Sequence, residues 1–421
     1  MERTSVERVL AVAVREGALD EDVPAALFYD LDAFRAGLRG IQAAFPPGAL
    51  HTVAVKANPL GAMLAEAREL GFGAECASEV ELEHALRLGF PPDRVLFDSP
   101  AKTRREIAAA LDRGVVLNAD NLEEVDRIAA RLAEAPSRSL VGLRVNPQVG
   151  AGRIAATSTA APRSKFGVPL DERRAEILDA YAARPWLRGL HVHVGSQGCG
   201  LELMAEGARR VLELAGEIAA RRGRPIELLD IGGGLPVDDA GPGGAAAPDV
   251  VEYVAALRAR APGIFEGPFR LATELGRSVS ARHGWFASRV EYTKQAGGRR
   301  IAVIHAGADL FLRAAYLPAT WSHRITAHDA GGAPKEGPRS PCDVAGPLCF
   351  AGDLIAEGRE LPPLEPGDIV VVHGAGAYTL ALWSRYNSRR APAVHGYEGS
   401  PPRLRRLKAA ESVDDVLRFW G

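Results

Sequence analysis

The chain has 421 residues, 47% of them hydrophobic and 25% charged, with a formal net charge of −2. This balance excludes a disordered chain and leaves enough apolar side chain for two domains with sizeable cores. No block of like charge reads as a nucleic-acid or membrane arm, so a protein acting on small molecules is expected, without nucleic-acid or membrane partners.

The opening segment MERTSVERVLAVAVREGALDED breaks its apolar positions with acidic residues. It reads as neither a signal peptide nor a membrane span, and a cytoplasmic location is expected. The cysteines, at positions 76, 199, 342 and 349, show no CxxC or metal-finger spacing and are read as reduced thiols, mostly in the core. Lysine occurs only at 56, 102, 165, 294, 335 and 408, nearly all other basic residues being Arg. Lysine can lose its proton when buried and form an imine, which Arg cannot, so a rare lysine after an apolar run needs a reason.

From about residue 50 to 275, short apolar runs alternate with amphipathic stretches. Strands are expected over 52–56, 73–76, 94–98, 115–118, 141–145, 189–194, 228–231 and 271–274. Helices are expected between them, for example over 63–70, 80–88, 104–112, 122–132 and 205–220, where apolar residues recur at three- and four-residue spacing. Eight strands alternating with helices fit an α/β fold of the (β/α)8 TIM-barrel type better than an open sheet. After Arg277 the texture changes to short strands between Gly- and Pro-rich turns, including 290–292, 300–305 and 369–372, which reads as a C-terminal mainly β domain. The expected division is a barrel over 26–277 and a β domain over 278–421, with residues 1–25 packing on the latter. The stretches 147–161 and 239–248 read as flexible loops.

In such a barrel the chemistry sits at the C-terminal ends of the strands. Those ends carry Lys56, Glu75, Arg144, His191 and His193, Asp230 before Gly232-Gly233-Gly234, and Glu274 before Gly276-Arg277. A triple glycine after a strand is by default a plain turn, but glycines after the seventh strand with an Arg after the eighth match a phosphate site. His191 and His193 lie on one side of a strand, and without a third ligand at recognisable spacing one core and one site histidine is favoured over a metal pair, so no metal is expected. A lysine is by default exposed or ion-paired, yet Lys56 follows the apolar run Thr52–Val55. A lysine, an anion pocket and a carboxylate for a ring nitrogen are together the needs of pyridoxal phosphate.

With these residues placed, the sequence resembles the fold-type III pyridoxal-phosphate decarboxylases, the group of ornithine, diaminopimelate and arginine decarboxylases, and most closely the diaminopimelate branch. The likeness runs in order through VAVKAN (53–58), GAECAS (73–78), SKFG (164–167), HVHVGSQ (191–197), DIGGG (230–234), ELGR (274–277), GPLC (346–349) and GAY (376–378). It implies an alanine-racemase-like barrel with a β domain supplying Cys349 and Tyr378. Lys56 would be the Schiff-base residue, His193 would stack on the cofactor ring, and Glu274 would pair with its pyridine nitrogen. Ser196, Gly233, Gly234, Gly276, Arg277 and Tyr378 would hold the phosphate. Cys349, from the second subunit of a homodimer, would protonate the α-carbon after carbon dioxide leaves.

Two positions bear on the substrate. The resemblance places an acidic residue after the catalytic Cys to receive a distal ammonium, and here that position is Phe350. The lost charge-assisted bond is worth about 1.5–3 kcal/mol. Arg313 matches the Arg that grips a distal carboxylate in the diaminopimelate branch, and Arg144 is a further substrate-binding candidate. The expectation is therefore decarboxylation of an unusual amino acid, acidic, acylated or conjugated, of the siderophore-type specialised kind. The alternatives are an amino-acid racemase or epimerase on the same fold, and a cofactor-free regulatory homologue.

Overall fold

The computed structural model describes residues 5–238 and 247–421. Most of the expected loop 239–248 falls outside the described residues. Contacts divide the chain into two units, one of residues 37–237 with 247–279, the other built on residues 5–36 and 280–421.

The first unit is a closed ring of eight parallel strands with helices between them. The strands are β1 (Leu50–Ala54), β2 (Gly73–Cys76), β3 (Val95–Asp98), β4 (Val116–Ala119), β5 (Val141–Asn146), β6 (Leu187–His191), β7 (Leu228–Asp230) and β8 (Arg270–Leu275). Each pairs with the next, and β8 closes on β1 in the register Glu274 to Thr52. Local chemistry sets the helix ends. Thr103 and Glu106 cap the helix Arg104–Arg113 reciprocally, and Gly114, at φ +73°, ends it in a left-handed conformation. Ser78 and Asn121 accept from the third residues of their helices in the same way.

The barrel interior is layered by polarity. Leu50, Leu96, Val116, Leu228 and Ala272 form one apolar cluster. Side chains two positions further along a strand return to the same face. On β3, β4, β7 and β8 those positions are Asp98, Asn118, Asp230 and Glu274, all buried. An apolar floor therefore carries a polar layer at the C-terminal end, the end at which such barrels react.

The second unit is built on a nine-stranded sheet. Its long strand Gly284–Ala296 pairs with Ala25–Asp30, Arg299–Ile304 and Ile369–His373. Its core joins Val9, Leu10 and Ala13 of the helix Ser5–Arg15 to Phe28, Trp285, Val371 and Tyr397. Phe28 stacks on Trp285 with ring centroids 4.3 Å apart.

Four sequence expectations need correction. Ala25–Asp30, taken as the start of the barrel domain, belongs to the second sheet, where it lies between Gly284–Ala296 and Ala393–Glu398. Its apolar run is buried from neighbours on both sides, a pattern that marks a central strand without saying of which sheet. The first barrel strand ends at Ala54, and Val55–Ala57 is a 3-10 turn, so Lys56 stands beyond the strand. The sixth strand ends at His191 rather than Val194. Beyond it, the N–H groups of Thr159 and Ala160 donate to the Val194 carbonyl at 3.0 and 3.1 Å. The loop 147–161, expected to be flexible, is thus tied to that segment, with Ser158 bridging to Gly195.

Candidate active site

The turn after β1 presents Lys56, whose Nζ donates to Glu75 Oε2 at the end of β2. The Lys56 side chain is 39% exposed and that of Glu75 fully buried. Burial pushes the Glu75 carboxyl up to about 7, against the pull of Lys56 and with help from the Glu274 and Asp98 charges. Lys102, also near the end of a strand, is a different case. It is fully enclosed, paired with Glu124 at 2.9 Å, and donates to the carbonyls of Ser99 and Asn118 at 2.5 and 2.9 Å. All its donors are committed to structure, whereas Lys56 reaches the mouth.

Glu274, from β8, is the centre of a buried charge network. Its Oε2 lies 3.5 Å from His191 Nε2 and 3.8 Å from His193 Nδ1. His191 Nδ1 lies 3.7 Å from Asp98 Oδ2, which receives Arg144 Nη1 at 3.1 Å. Burial works against the Glu274 charge, but His191 and Lys56 outweigh it and hold the carboxyl well below the usual range. Burial likewise opposes a charge on His191, and the Glu274 and Asp98 carboxylates overcome it and raise its pKa to about 9. Among the described residues Asp98, His191 and Glu274 also bring one donor atom each within 4.8 Å of one another. The same group reads as a chain of ion pairs, with each ring nitrogen of His191 facing a carboxylate. The second Glu274 oxygen, Oε1, is buried with no hydrogen-bond partner.

His193 takes the opposite state. Its Nδ1 accepts from the Gly233 N–H at 3.2 Å. Burial and the Arg144 charge lower its pKa to about 3, so it offers a neutral flat ring, 17% exposed. The glycines beside it are required by space. A Cβ on Gly233 would stand 1.8 Å from the Glu274 carbonyl oxygen, and one on Gly234, which has φ +105°, 2.0 Å from that of Gly195. Asp230 Oδ1 accepts from the Gly232 N–H at 2.9 Å and fixes the turn. Arg277, buried, opens the short helix Arg277–Ser280, and Ser196 lies half-buried with its N–H on the Thr157 carbonyl at 2.9 Å.

The barrel unit thus brings together Lys56, a partnerless buried carboxylate oxygen, a neutral imidazole and a glycine cradle, which fits the amine, ring nitrogen, ring face and phosphate needs of pyridoxal phosphate. Arg144, expected at the substrate, is buried instead, with its guanidinium on Asp98 and 4.6 Å over the Phe166 ring. Asp98 and Asp120 were missed by the sequence reading. Both follow the alternation of strands three and four to the barrel mouth, a signal the sequence carries.

The remaining site residues lie in the second unit. Arg313 stands on the short helix Leu312–Tyr316 with its guanidinium 4.7 Å from the Trp321 ring and 4.5 Å from the Tyr378 ring. Tyr378 is held at φ +56°, a left-handed conformation uncommon outside glycine. Phe350 stacks on Tyr316, with centroids 5.2 Å apart and planes 14° from parallel. Cys349 is an exposed free thiol, while Cys76, Cys199 and Cys342 are buried thiols. The Cys349 N–H donates to Asn387 Oδ1 at 2.8 Å and its carbonyl accepts from the Tyr386 hydroxyl at 2.9 Å. Asp353 anchors the same loop by accepting from the Leu348 N–H at 2.8 Å and the Ala308 N–H at 2.5 Å.

Among the described residues no helix is long and apolar enough to cross a membrane. Residues 31–281 match the family model described as "Pyridoxal-dependent decarboxylase, pyridoxal binding domain". The chain is 31% identical over 373 residues to a diaminopimelate decarboxylase of Bacteroides thetaiotaomicron, covering 87% of this chain and 93% of that one. It is 35% identical over 369 residues to one of Pseudomonas aeruginosa, covering 86% and 84%. The crystal structure of a Helicobacter pylori diaminopimelate decarboxylase complexed with L-lysine superposes with a TM-score of 0.83 at 27% identity, covering 94% of this chain and 96% of that one. These names do not support the expectation of an unusual acidic or siderophore-type substrate. The ordered motifs, the barrel with its β unit and the match over 31–281 agree, and the chain belongs to the pyridoxal-dependent decarboxylases, as a carboxy-lyase that uses pyridoxal phosphate.

Proposed function

We propose that Lys56 holds the cofactor covalently, that Glu274 binds its ring nitrogen and that the glycine cradle with Arg277 and Ser196 binds its phosphate. The observation that carries this reading is the buried Glu274 carboxylate, with Oε2 toward two histidines and Oε1 without a partner. When bound, pyridoxal phosphate supplies the sink for the electron pair left on the α-carbon as carbon dioxide departs. Glu274 keeps a proton on the ring nitrogen. Glu75 holds the Lys56 amine in place by accepting its hydrogen bond. His193, uncharged, covers a ring face without competing for that proton. In this reading Gly276 belongs to the phosphate loop.

The protein acts in this reading as a homodimer, and Cys349 of the partner subunit returns a proton to the α-carbon. The exposure of Cys349 and the fixing of its loop by Asn387, Tyr386 and Asp353 support this role.

The substrate in this reading is an amino acid with a distal carboxylate for Arg313 and no distal ammonium. Phe350 supports it: a phenyl ring stacked on Tyr316 offers no acceptor to an ammonium. Diaminopimelate itself is the second reading, favoured by the names of the relatives. A product assay by mass spectrometry separates them. The kcat/KM for 2-aminopimelate, of equal length but lacking the distal amine, is expected to exceed that for diaminopimelate. The reverse order assigns diaminopimelate, and retained substrate mass with inverted stereochemistry replaces decarboxylation by racemisation.

A further inference from the structure

The buried histidine His191 has no place in the chemistry above, yet it lies between two carboxylates of the site. It is fully enclosed, and its two nitrogens face two carboxylates, Asp98 Oδ2 at 3.7 Å and Glu274 Oε2 at 3.5 Å. Its strand neighbour across the ladder is Asp230, which is also buried and whose Oδ1 is taken by the Gly232 N–H. Four acidic groups, Glu75, Asp98, Asp230 and Glu274, thus share one small buried layer. Like charges at such range cannot all stay ionised without cations among them. Lys56 answers Glu75, and Arg144 answers Asp98. Glu274 has His191 as its nearest cationic partner, at 3.5 Å.

Resting on the assignment of Glu274 to the cofactor ring nitrogen, we infer that His191 is a positioning residue: a buried imidazolium clamped between Asp98 and Glu274 that keeps Glu274 ionised and turns its second oxygen to the ring. The clamp works by proximity. An imidazolium against one carboxylate oxygen favours the charge on the carboxylate more than it disfavours a proton on a ring beyond the other oxygen. Without it, Glu274, buried beside Asp98 and Asp230, takes up a proton itself and faces the ring as a neutral acid. His191 touches neither substrate nor cofactor in this role. The direction of the pKa shifts agrees, with His191 raised to about 9 and Glu274 lowered. The charged and titratable groups facing His191 are Asp98, Glu274, Asp230 and His193, with Arg144 behind Asp98.

The test reads the ring nitrogen directly. Holoenzyme is prepared with pyridoxal phosphate carrying 15N in the ring, and the 15N chemical shift is measured at pH 8 for the unmodified protein, His191→Gln and Glu274→Gln. The unmodified protein is expected to show the protonated nitrogen and Glu274→Gln the unprotonated one. His191→Gln is expected to move more than half of the way toward Glu274→Gln, with kcat falling by about tenfold or more and KM changing by less than about threefold. A protonated-type shift in His191→Gln overturns the inference and leaves the Glu274 assignment standing. An unprotonated nitrogen in the unmodified protein overturns both. If His191→Gln does not yield folded protein, His191→Asn, a smaller neutral side chain, is measured in its place with the same expected and contradicting results.

Discussion

Lys56 and Glu75 are paired across the barrel mouth, a half-exposed ammonium against a carboxylate with no exposed surface. The pair keeps the amine in place while costing the carboxylate its hydration, and the cost has a pH signature. The folded-state pKa of Glu75 is raised from 4.5 to about 7. A raised acid stabilises the fold fully below its unfolded value, and that contribution is lost as the pH rises from 4.5 through 7. Glu75→Gln stays neutral throughout. Its stability relative to the unmodified protein is therefore expected to improve between pH 5 and pH 8, by up to about 3 kcal/mol. Paired thermal melts at the two pH values check this, and an offset independent of pH contradicts it.

Lys102 separates burial from chemistry. Breaking its enclosed pair with Glu124 leaves an uncompensated buried carboxylate, at a cost of about 3–5 kcal/mol. Lys102→Met is expected to lower the denaturant midpoint markedly while cofactor attachment, measured on the surviving folded protein, stays intact. Lost attachment with unchanged stability would reverse the roles given to the two lysines.

The glycine cradle tolerates no side chain. Gly234→Ala must place a Cβ against the Gly195 carbonyl from a backbone at φ +105°. At least a tenfold loss of cofactor affinity is expected, equivalent to about 1.4 kcal/mol or more. An equilibrium titration with pyridoxal phosphate that finds the affinity unchanged removes this turn from the phosphate site.

Cys349→Ala should separate binding from turnover. Cofactor affinity is expected to stay within about twofold while kcat drops by about a hundredfold, the ordinary worth of a positioned proton donor. Full turnover with the normal product would take Cys349 out of the reaction.

Much of the barrel is legible in the sequence because each strand is short and apolar and is separated from the next by a stretch with apolar residues at three- and four-residue spacing. All eight strands were expected in the order found. What failed was the extent of elements. Val192 and Val194 continue the alternation of the sixth strand, yet the ladder stops at His191 because a loop from residues 157–160 takes over the hydrogen bonds. Residues 26–30 were placed in the barrel domain although no strand was read there, and an apolar run such as Ala-Ala-Leu-Phe-Tyr carries no mark of its sheet. Lys56, Glu274, His193 and the glycines were read from their places after strands. Arg144 was read there too, as a substrate residue, and only the structure shows Asp98 and Phe166 claiming its guanidinium. His191 was read as one of a histidine pair on one side of a strand, but the two carboxylates that face it lie 93 residues before it and 83 after.

The assignment of Lys56 as the residue that carries the cofactor underlies everything else. Borohydride reduction of the holoenzyme followed by peptide mapping tests it most directly. The account predicts that the cofactor label is fixed on the peptide containing Lys56, and that Lys56→Ala gives no labelled peptide. Label on Lys102 or another lysine, or unchanged labelling in Lys56→Ala, would contradict it.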